Sequence, residues 1–210
     1  MNFLESLHWR YATKRMTGEK IPNEKINTIL EAARLAPTSS GIQPFSILVI
    51  TDRKLMEKIQ PIAYNQPQIT EASHLLVFAV WDNITSEKID YVYDQITRER
   101  NLPADALASY VDRLKEMFAD MTKEEQFNWA ARQAYLAIGI VTAAAAIEKI
   151  DATPMEGFVN FELDKELKLR EKGLRSTTII ALGYRDTAND WLANMKEVRR
   201  PKEELFIELN

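Results

Sequence analysis

Residues 122–150, which read TKEEQFNWAARQAYLAIGIVTAAAAIEKI, decide the fold of this chain. Thr122 and Glu125 have the capping-box spacing that starts a helix, and no proline follows before residue 150. We therefore predict that residues 127–150 form the longest helix. Residues 134–147 are apolar on nearly every side, which predicts a helix that is covered all round. In a chain of 210 residues, that cover is expected to need a second subunit.

Shorter apolar stretches flank this helix. A helix is predicted over residues 21–33, where apolar side chains recur at helical spacing before Pro37. Residues 85–119 are charged and periodic, which predicts an excursion of two helices broken at Leu102-Pro103. Three other stretches are rich in aromatic and β-branched residues and predict buried strands: 45–50, 75–80 and 176–182.

The chain after the long helix is less regular. Pro154 and Gly157 predict a turn, and Asn160 is expected to cap a short helix that runs to Leu169. The tail, residues 192–210, is polar until Leu205-Phe206-Ile207. Helices and strands interleave without a linker or an internal repeat, so the chain is predicted to form one α+β domain.

The composition excludes several classes of function. A net charge of -4 argues against binding nucleic acid or anionic lipid. The chain has no cysteine, which excludes disulfides, thiolate nucleophiles and cysteine-ligated metals. No signal peptide is recognisable, and no apolar run approaches the ~20 residues of a membrane helix. The expected location is the cytoplasm, with no membrane partner.

The common catalytic motifs are also missing. Neither GxxxxGK[ST] nor GxGxxG occurs, which argues against a P-loop or Rossmann site. With only His8 and His74, no metal centre is predicted. A hydrolase triad using Ser39 and His74 lacks the GxSxG motif.

Three polar stretches remain as candidates for ligand binding. Residues 10–15, RYATKR, offer arginine forks and hydroxyls suited to a phosphate. Residues 37–44, PTSSGIQP, form a polar loop that leads into a predicted strand. In residues 154–158, PMEGF, the glycine allows a ligand to approach the backbone closely. Taken singly, each stretch also suits a charged surface or a plain turn.

Taken together, in this order and at these separations, the three stretches resemble the nitroreductase family, in particular the oxygen-insensitive bacterial nitroreductases. The resemblance runs from about Phe3 to Pro201, and its most specific pieces are PMEGF and residues 118–121, FADM. Residues 71–74, EASH, and 133–136, QAYL, match as well.

The resemblance implies a single α+β domain over residues 1–210, with a central mixed or antiparallel sheet flanked by helices. It implies an obligate homodimer packed on the long helices, with FMN bound at the subunit interface and NAD(P)H as hydride donor. The tail, residues 192–210, would reach the partner subunit.

The resemblance also implies roles for particular residues. Lys14, Glu156, Gly157 and Phe118 would act in catalysis, with the backbone of Glu156 and Gly157 at flavin N5 and Phe118 stacked over the ring. Lys14 would lie at the pyrimidine edge, where a cation favours flavin reduction. The implied cofactor-binding residues are Arg10, Tyr11, Ala12, Lys14, Pro37, Thr38, Ser39, Asn65, Gln68, Pro154, Glu156, Gly157, Lys196 and Arg199.

Within that set, Arg10 and Arg199 would hold the phosphate, and residues 37–39 would come from the other subunit. Two positions depart from the family pattern. Gln68 stands where close relatives often have a lysine, and Glu197 where a lysine is common. Lys196 is adjacent and could substitute for that lysine, and the neutral Gln68 could lower the flavin potential; the sequence decides neither point.

The reaction expected from the resemblance is a ping-pong reduction of a small-molecule acceptor, a nitroaromatic or a quinone. A narrower acceptor, such as a pteridine, an enone or a free flavin, remains an alternative. A flavin-binding protein without catalytic activity is the other class. The sequence does not separate NADH from NADPH as donor.

Overall fold

The long helix is present, but it begins four residues before and ends three residues before the predicted range of 127–150. The computed structural model describes residues 2–209, so Met1 and Asn210 of the predicted domain lie outside the described residues. Helix α7 spans Lys123–Ile147. The Glu125 backbone N donates to Thr122 Oγ1 at 3.3 Å, and the Thr122 backbone N donates to Glu125 Oε2 at 2.8 Å. Both halves of the predicted capping box are therefore present.

Within residues 2–209, four strands form one sheet in the order β1-β2-β4-β3, and every neighbouring pair is antiparallel. The three predicted strands are confirmed, and β2 and β4 are slightly longer than expected. The strands are β1 (Phe45–Ile50), β2 (His74–Trp81), β3 (Asp151–Met155) and β4 (Leu174–Gly183).

Strand β3 was missed, because the sequence predicts a turn where the strand is. Pro154 lies inside β3, opposite Ile180 of β4. Proline cannot donate to a sheet ladder, but an edge strand tolerates it on the side that has no neighbour. The turn that was predicted begins two residues later, at Glu156.

Helices cover both faces of the sheet. Residues 53–62 and 68–71 carry two helices that the sequence analysis did not predict, and the first contains Pro61. The two helices of the predicted excursion are both confirmed. The helices besides α7 are α1 (Phe3–Trp9), α2 (Asn23–Arg34), α3 (Arg53–Ile62), α4 (Gln68–Glu71), α5 (Ser86–Glu99), α6 (Ala108–Ala119), α8 (Asn160–Glu166) and α9 (Lys202–Leu205).

The two central strands are buried on both faces, and their side chains alternate between two cores. From β2, Leu75 and Val77 join one core, against α3 and α8, with Met56 and Leu163. The next residue along the strand, Leu76, joins the other core against α2 and α7. The sheet is thus held between two helical layers.

The expected cap of α8 is wrong. The residue at the N-cap is Val159, and no side chain caps the helix. Asn160 instead donates from Nδ2 to the Ser176 backbone oxygen at 2.9 Å, which ties the helix to β4. Helix α8 ends at Glu166, before the predicted Leu169.

Helix α7 is not covered all round within one chain. It packs against the sheet and against α1 and α2. On its opposite side, Tyr135, Leu136 and Ile147 are 40%, 49% and 51% exposed. One chain therefore leaves part of α7 uncovered, and the expected cover by a second subunit stays a prediction.

The expectation that no part of the chain is long and apolar enough for a membrane helix is wrong. Among the described residues, α7 is long and apolar enough to cross a membrane, with a mean hydropathy of 1.4 over its best window. The core helix of a soluble protein passes the same test. Its packing on the sheet is that of a core helix.

We expect Thr122→Ala to lower the free energy of unfolding by about 1 kcal/mol, because the first turn of α7 loses its side-chain acceptor. Urea unfolding at a fixed protein concentration measures the change. Thr142→Ala is the matched control, since Thr142 lies inside the same helix and, among the described residues, its hydroxyl bonds only to the Gly139 oxygen. Equal stability of the Thr122 variant and wild type would contradict the cap's contribution.

Candidate functional site

The segment after α1 is held in place by two buried carboxylates that are distant in sequence, Asp151 on β3 and Asp190 after β4. Asp151 is 2% exposed and accepts from Thr13 Oγ1 at 3.1 Å and from Arg185 Nη2 at 2.6 Å. Asp190 is 4% exposed and accepts from the Tyr11 hydroxyl at 2.9 Å and the Lys14 backbone N at 2.8 Å. The position of residues 11–14 therefore depends on contacts made by tertiary structure.

Asp190 is held in its charged form. Burial acts to raise the pKa of its carboxyl, but hydrogen bonds from the backbone of Lys14 and Leu192 and from the Tyr11 hydroxyl outweigh it, so the pKa lies below its ordinary value. Burial and the bond to Asp190 raise the pKa of Tyr11, which keeps the phenol protonated as a donor. The buried contact is thus a charged acceptor with neutral donors.

Arg185 adds a second layer of support. Its guanidinium carbon lies 4.0 Å from the centroid of the Trp9 ring and 4.7 Å from that of Tyr11. It donates to Asp151 and also to the Trp9 backbone oxygen. The cation therefore fixes the end of α1 relative to β3, and Arg10 follows directly.

A basic cavity of about 640 Å³ opens beside Arg10. Three cations lie around it, Arg10, Lys196 and Arg199, so the structure brings together these widely separated predicted residues. Its lining, which defines the basic cavity below, is Leu4, Leu7, His8, Arg10, Lys196, Glu197 and Arg199. Such a surface suits an anionic group.

The Arg10 side chain is incompletely paired. Its Nε is buried and has no acceptor within the described part of the chain. Burial lowers the pKa of Arg10, and the charge of Glu197 acts in the opposite direction. A buried donor without a partner is costly, which favours a ligand with an acceptor at this point.

A second cavity, of about 280 Å³, lies beside Lys14. We call it the amide cavity, since Lys14, Arg15, Gln66, Pro67, Gln68, Asn189 and Trp191 line it. Gln68 is buried, and its Nε2 donates to the Thr13 backbone oxygen at 3.2 Å. Its Oε1 is buried without a donor among residues 2–209. One buried side-chain atom at each cavity thus lacks a partner within the described residues: the acceptor Gln68 Oε1 here and the donor Arg10 Nε at the basic cavity.

The turn after β3 is fixed from several sides. The Phe158 backbone N donates to the Glu156 oxygen at 2.9 Å, and Gln66 Nε2 donates to the Gly157 oxygen at 2.9 Å. The Tyr135 hydroxyl donates to the Glu156 carboxylate and accepts from Thr178 Oγ1. Within the described residues, the Gly157 backbone N–H makes no hydrogen bond and remains available to a ligand.

The space around Gly157 does not by itself require a glycine. A Cβ at this position would lie 3.4 Å from Gln66 Nε2 and 3.8 Å from the Tyr64 ring, which are ordinary van der Waals contacts. The role that the sequence predicts for Gly157, close approach of a ligand to its backbone, stays a prediction.

Other predicted site residues lie elsewhere in the single chain. Pro37, Thr38 and Ser39 line neither cavity; the Ser39 backbone N donates to Gln133 Oε1 of α7 at 2.8 Å. Asn65 is exposed, has a positive φ of 56° and lines neither cavity, and Pro154 is exposed on β3. Ala12 is half-buried between the Tyr11 and Thr13 contacts.

Phe118 lies in the core of the single chain and lines neither cavity. Its side chain is 1% exposed and its ring meets the edge of Trp129 with centroids 4.9 Å apart. It lies between α5, α6 and α7, together with Leu114 and Val111. Its role over the flavin ring stays a prediction.

Several residues that shape the site were missed. Asp151, Asp190 and Arg185 look like ordinary surface charges in the sequence, and no local pattern marks their burial. Tyr135 was available as a signal, since it is a polar residue in an otherwise apolar part of α7 and part of the QAYL match. Gln66 carried no signal of its own.

We expect Asp190→Asn to destabilise the protein by about 1 to 2 kcal/mol at pH 7, because a charged acceptor of buried bonds is lost. The pKa of Asp190 in the folded state lies below its ordinary value of 3.8, so the charged carboxylate stabilises the folded protein when the pH is above 3.8. This stabilisation is lost as the pH falls below 3.8 toward the folded-state pKa. The difference between variant and wild type should therefore shrink below about pH 4. Urea unfolding across pH measures it, with exposed Asp105→Asn as control. A difference that stays constant with pH would refute the role of the charge.

Comparison with known proteins identifies the family. Residues 7–184 match the model of the Nitroreductase family. The chain is 32% identical over 195 residues to a Staphylococcus saprophyticus protein named provisionally as an NAD(P)H nitroreductase, with 88% of each chain covered.

Solved structures agree on the fold. A Bacillus subtilis protein described provisionally as a nitroreductase superposes with a TM-score of 0.87 at 19% identity, over 99% of this chain and 98% of that one. A protein from Exiguobacterium sibiricum, solved in complex with FMN and described in the same way, gives 0.84 at 20% identity, over 100% and 98%. The α+β fold with an antiparallel sheet between helices is the one expected, and this chain belongs to the nitroreductase family.

Proposed function

We propose that this chain is an FMN-dependent oxidoreductase of the cytoplasm that transfers electrons from NAD(P)H to a nitroaromatic or quinone acceptor by a ping-pong mechanism. One observation carries the proposal. Of the buried side-chain atoms without a partner among the described residues, Arg10 Nε lies at the basic cavity and Gln68 Oε1 at the amide cavity. Leaving a polar group buried and unpaired costs about 1 to 3 kcal/mol, so a ligand that satisfies both is strongly favoured.

The residues present fit FMN. A phosphate supplies acceptors for Arg10, Lys196 and Arg199, and the pyrimidine edge of a flavin carries an N–H that Gln68 Oε1 can accept. Arg10 and Lys14 are four residues apart, so their Cα atoms are separated by at most about 14 Å. A ligand of FMN's length can reach both cavities, and the complex of the Exiguobacterium sibiricum relative with FMN supports this choice.

FMN, when bound, would supply two-electron hydride chemistry between NAD(P)H, which would leave as NAD(P)⁺, and the second substrate. A quinone would take two electrons and two protons and become a hydroquinone. A nitro group would also take two electrons and two protons, and would become a nitroso group with release of water. The chain's own part is to hold the site, supply charge and exclude water.

Lys14 supplies the charge. Its backbone N is fixed by Asp190, and its side chain lines the amide cavity beside Gln68. A fixed cation there stabilises negative charge that develops at the pyrimidine edge. Since Gln68 is neutral where close relatives often have a lysine, Lys14 acts with less help, and a lower potential is expected.

Glu156 and Gly157 supply the other edge of the site. The free Gly157 N–H is a donor for flavin N5, and the Tyr135 hydroxyl holds the Glu156 carboxylate beside it. Burial and the bond to Glu156 raise the pKa of Tyr135, so it remains a donor at neutral pH. The acceptor would enter above this turn.

The functional unit proposed is a homodimer. The exposed face of α7, with Tyr135, Leu136 and Ile147, needs cover, and so do Phe206 and Ile207 of the tail, which are 64% and 82% exposed. Packing two copies on α7 would bury the first set and would bring residues 37–39 of one subunit toward the site of the other.

The test is an anaerobic visible spectrum of the purified protein with FMN, before and after NADH or NADPH. Bleaching of the flavin absorbance, followed by its return on adding a nitroaromatic or quinone, is the expected result. Acceptor profiling with a pteridine, an enone and free flavin ranks the narrower reactions. A yellow protein that neither nucleotide bleaches would indicate flavin binding without catalysis, and failure to bind FMN would refute the proposal.

We expect Lys14→Ala to slow anaerobic flavin reduction by about tenfold or more, because a charge of the redox site is removed. Stopped-flow absorbance measures the rate, and the midpoint potential should fall with it. Lys20→Ala is the matched control, since Lys20 is exposed further along the same segment. Reduction at the wild-type rate would contradict the role of Lys14.

We expect Leu136→Arg to convert the dimer into a monomer, because it places a charge in the proposed interface. Sedimentation velocity measures the mass, and FMN binding should fall with dimerisation. Leu102→Arg, at another exposed leucine outside α7, should leave the dimer intact. A dimeric Leu136→Arg variant would show that α7 does not form the interface.

A further inference from the structure

One acidic side chain lies among the cations of the basic cavity. Arg199 Nη1 donates to Glu197 Oε2, and the two side chains form an ion pair. Both line the basic cavity together with Arg10 and Lys196. The Arg199 hydrogen bond is the main cause that holds the pKa of Glu197 below its ordinary value, and the charge of Arg10 adds to it.

The Glu197 carboxylate pairs with Arg199, a cation that an incoming anion would also bind. Arginine binds a carboxylate and a phosphate through the same N–H donors. Arg199 Nη1 donates to Glu197 and to the Val198 backbone oxygen, whereas Arg10 Nε has no acceptor in the described part of the chain. The cavity is therefore partly neutralised by its own chain and still incomplete at Arg10.

We propose that Glu197 is an internal competitor for the flavin phosphate, and that it determines how strongly this protein prefers FMN over riboflavin. The inference rests on the proposed function, since it assumes that flavin binds here. A phosphate that enters must displace Glu197 from Arg199 or remain beside a second negative charge, and either outcome weakens binding. Riboflavin has no phosphate and meets no such penalty.

Two consequences follow for the cofactor. FMN is held less tightly than three cations alone would hold it, so it exchanges with free flavin. Discrimination between phosphorylated and unphosphorylated flavin is also small. Glu197 is thus a specificity-determining residue, although it forms no part of the reacting centre.

The experiment is a fluorescence titration of the flavin-free protein with FMN and, separately, with riboflavin. Glu197→Gln keeps the shape and removes the charge, and it should lower the Kd for FMN by about tenfold while the Kd for riboflavin changes by less than about twofold. Glu197→Lys should tighten FMN further. Glu204→Gln is the matched control, because Glu204 lies on the same tail, pairs with Arg200 and does not line the cavity.

Inorganic phosphate provides a second readout that does not depend on activity. It should compete with FMN at a lower concentration in Glu197→Gln than in wild type, and should not compete with riboflavin in either. Weaker FMN binding by Glu197→Gln would mean that the carboxylate positions Arg199 for the phosphate, and equal tightening of both flavins would mean a general structural effect. Either result overturns the inference.

The failure of the proposed function has a different signature. If folded wild type and both Glu197 variants all fail to bind either flavin, the flavin site itself is refuted, and this inference falls with it. If wild type binds FMN and Glu197→Gln binds it with the same Kd, only the competition is refuted.

Discussion

Asp151 and Asp190 are buried carboxylates, and the hydrogen bonds that they accept hold residues 11–14, the segment after α1, in place. Burying a carboxylate is costly unless hydrogen bonds surround it, and both groups are surrounded. The donors come from Thr13, Tyr11 and the Lys14 backbone on one side, and from Arg185 on the other. Because the segment has little regular structure of its own, its geometry depends on these bonds.

The position of the proposed cofactor site follows from that constraint. Arg10 and Lys14 lie at the two ends of the segment, so the basic cavity and the amide cavity are held at a set separation. Each cavity contains a buried polar atom without a partner, Arg10 Nε and Gln68 Oε1. Such groups lower the stability of the empty protein, and the same groups favour a ligand that completes them. Glu197 partly neutralises the cations of the basic cavity through its ion pair with Arg199, and its negative charge would oppose the binding of a phosphate.

Helix α7 packs in the core on one side and presents the face of the proposed dimer interface on the other. One side lies in the core against the sheet, and the other side leaves Leu136 and Ile147 exposed. Tyr135 contributes to both the site and the exposed face of α7. Its hydroxyl donates to Glu156 in the turn after β3, and its side chain is 40% exposed. A second subunit placed on this face would therefore act close to the redox edge of the proposed site. Phe118 lies in the α5–α6 core, away from both cavities of the proposed site.

The sequence by itself determined the elements that local interactions stabilise. The capping box of Thr122 and Glu125 marked the N-terminus of α7, although the predicted range began at residue 127. Apolar stretches located three strands, and the turn at Leu102-Pro103 separated α5 from α6. The family match then indicated Arg10, Lys196 and Arg199, which the structure brings around one cavity. These features depend on neighbours in the chain or on motifs that can be read in order.

Tertiary structure alone decided the rest. Strand β3 contains Pro154, which in the sequence predicts a turn. The segment forms a strand because it pairs with β4 at the edge of the sheet. The inward face of Phe118, the burial of Asp190 and the pairing of Glu197 with Arg199 likewise have no local signature. The physical reason is that burial and charge pairing depend on which distant side chains supply donors and exclude water. Those partners are chosen when the sheet and helices pack, and the spacing of residues along the chain does not record them.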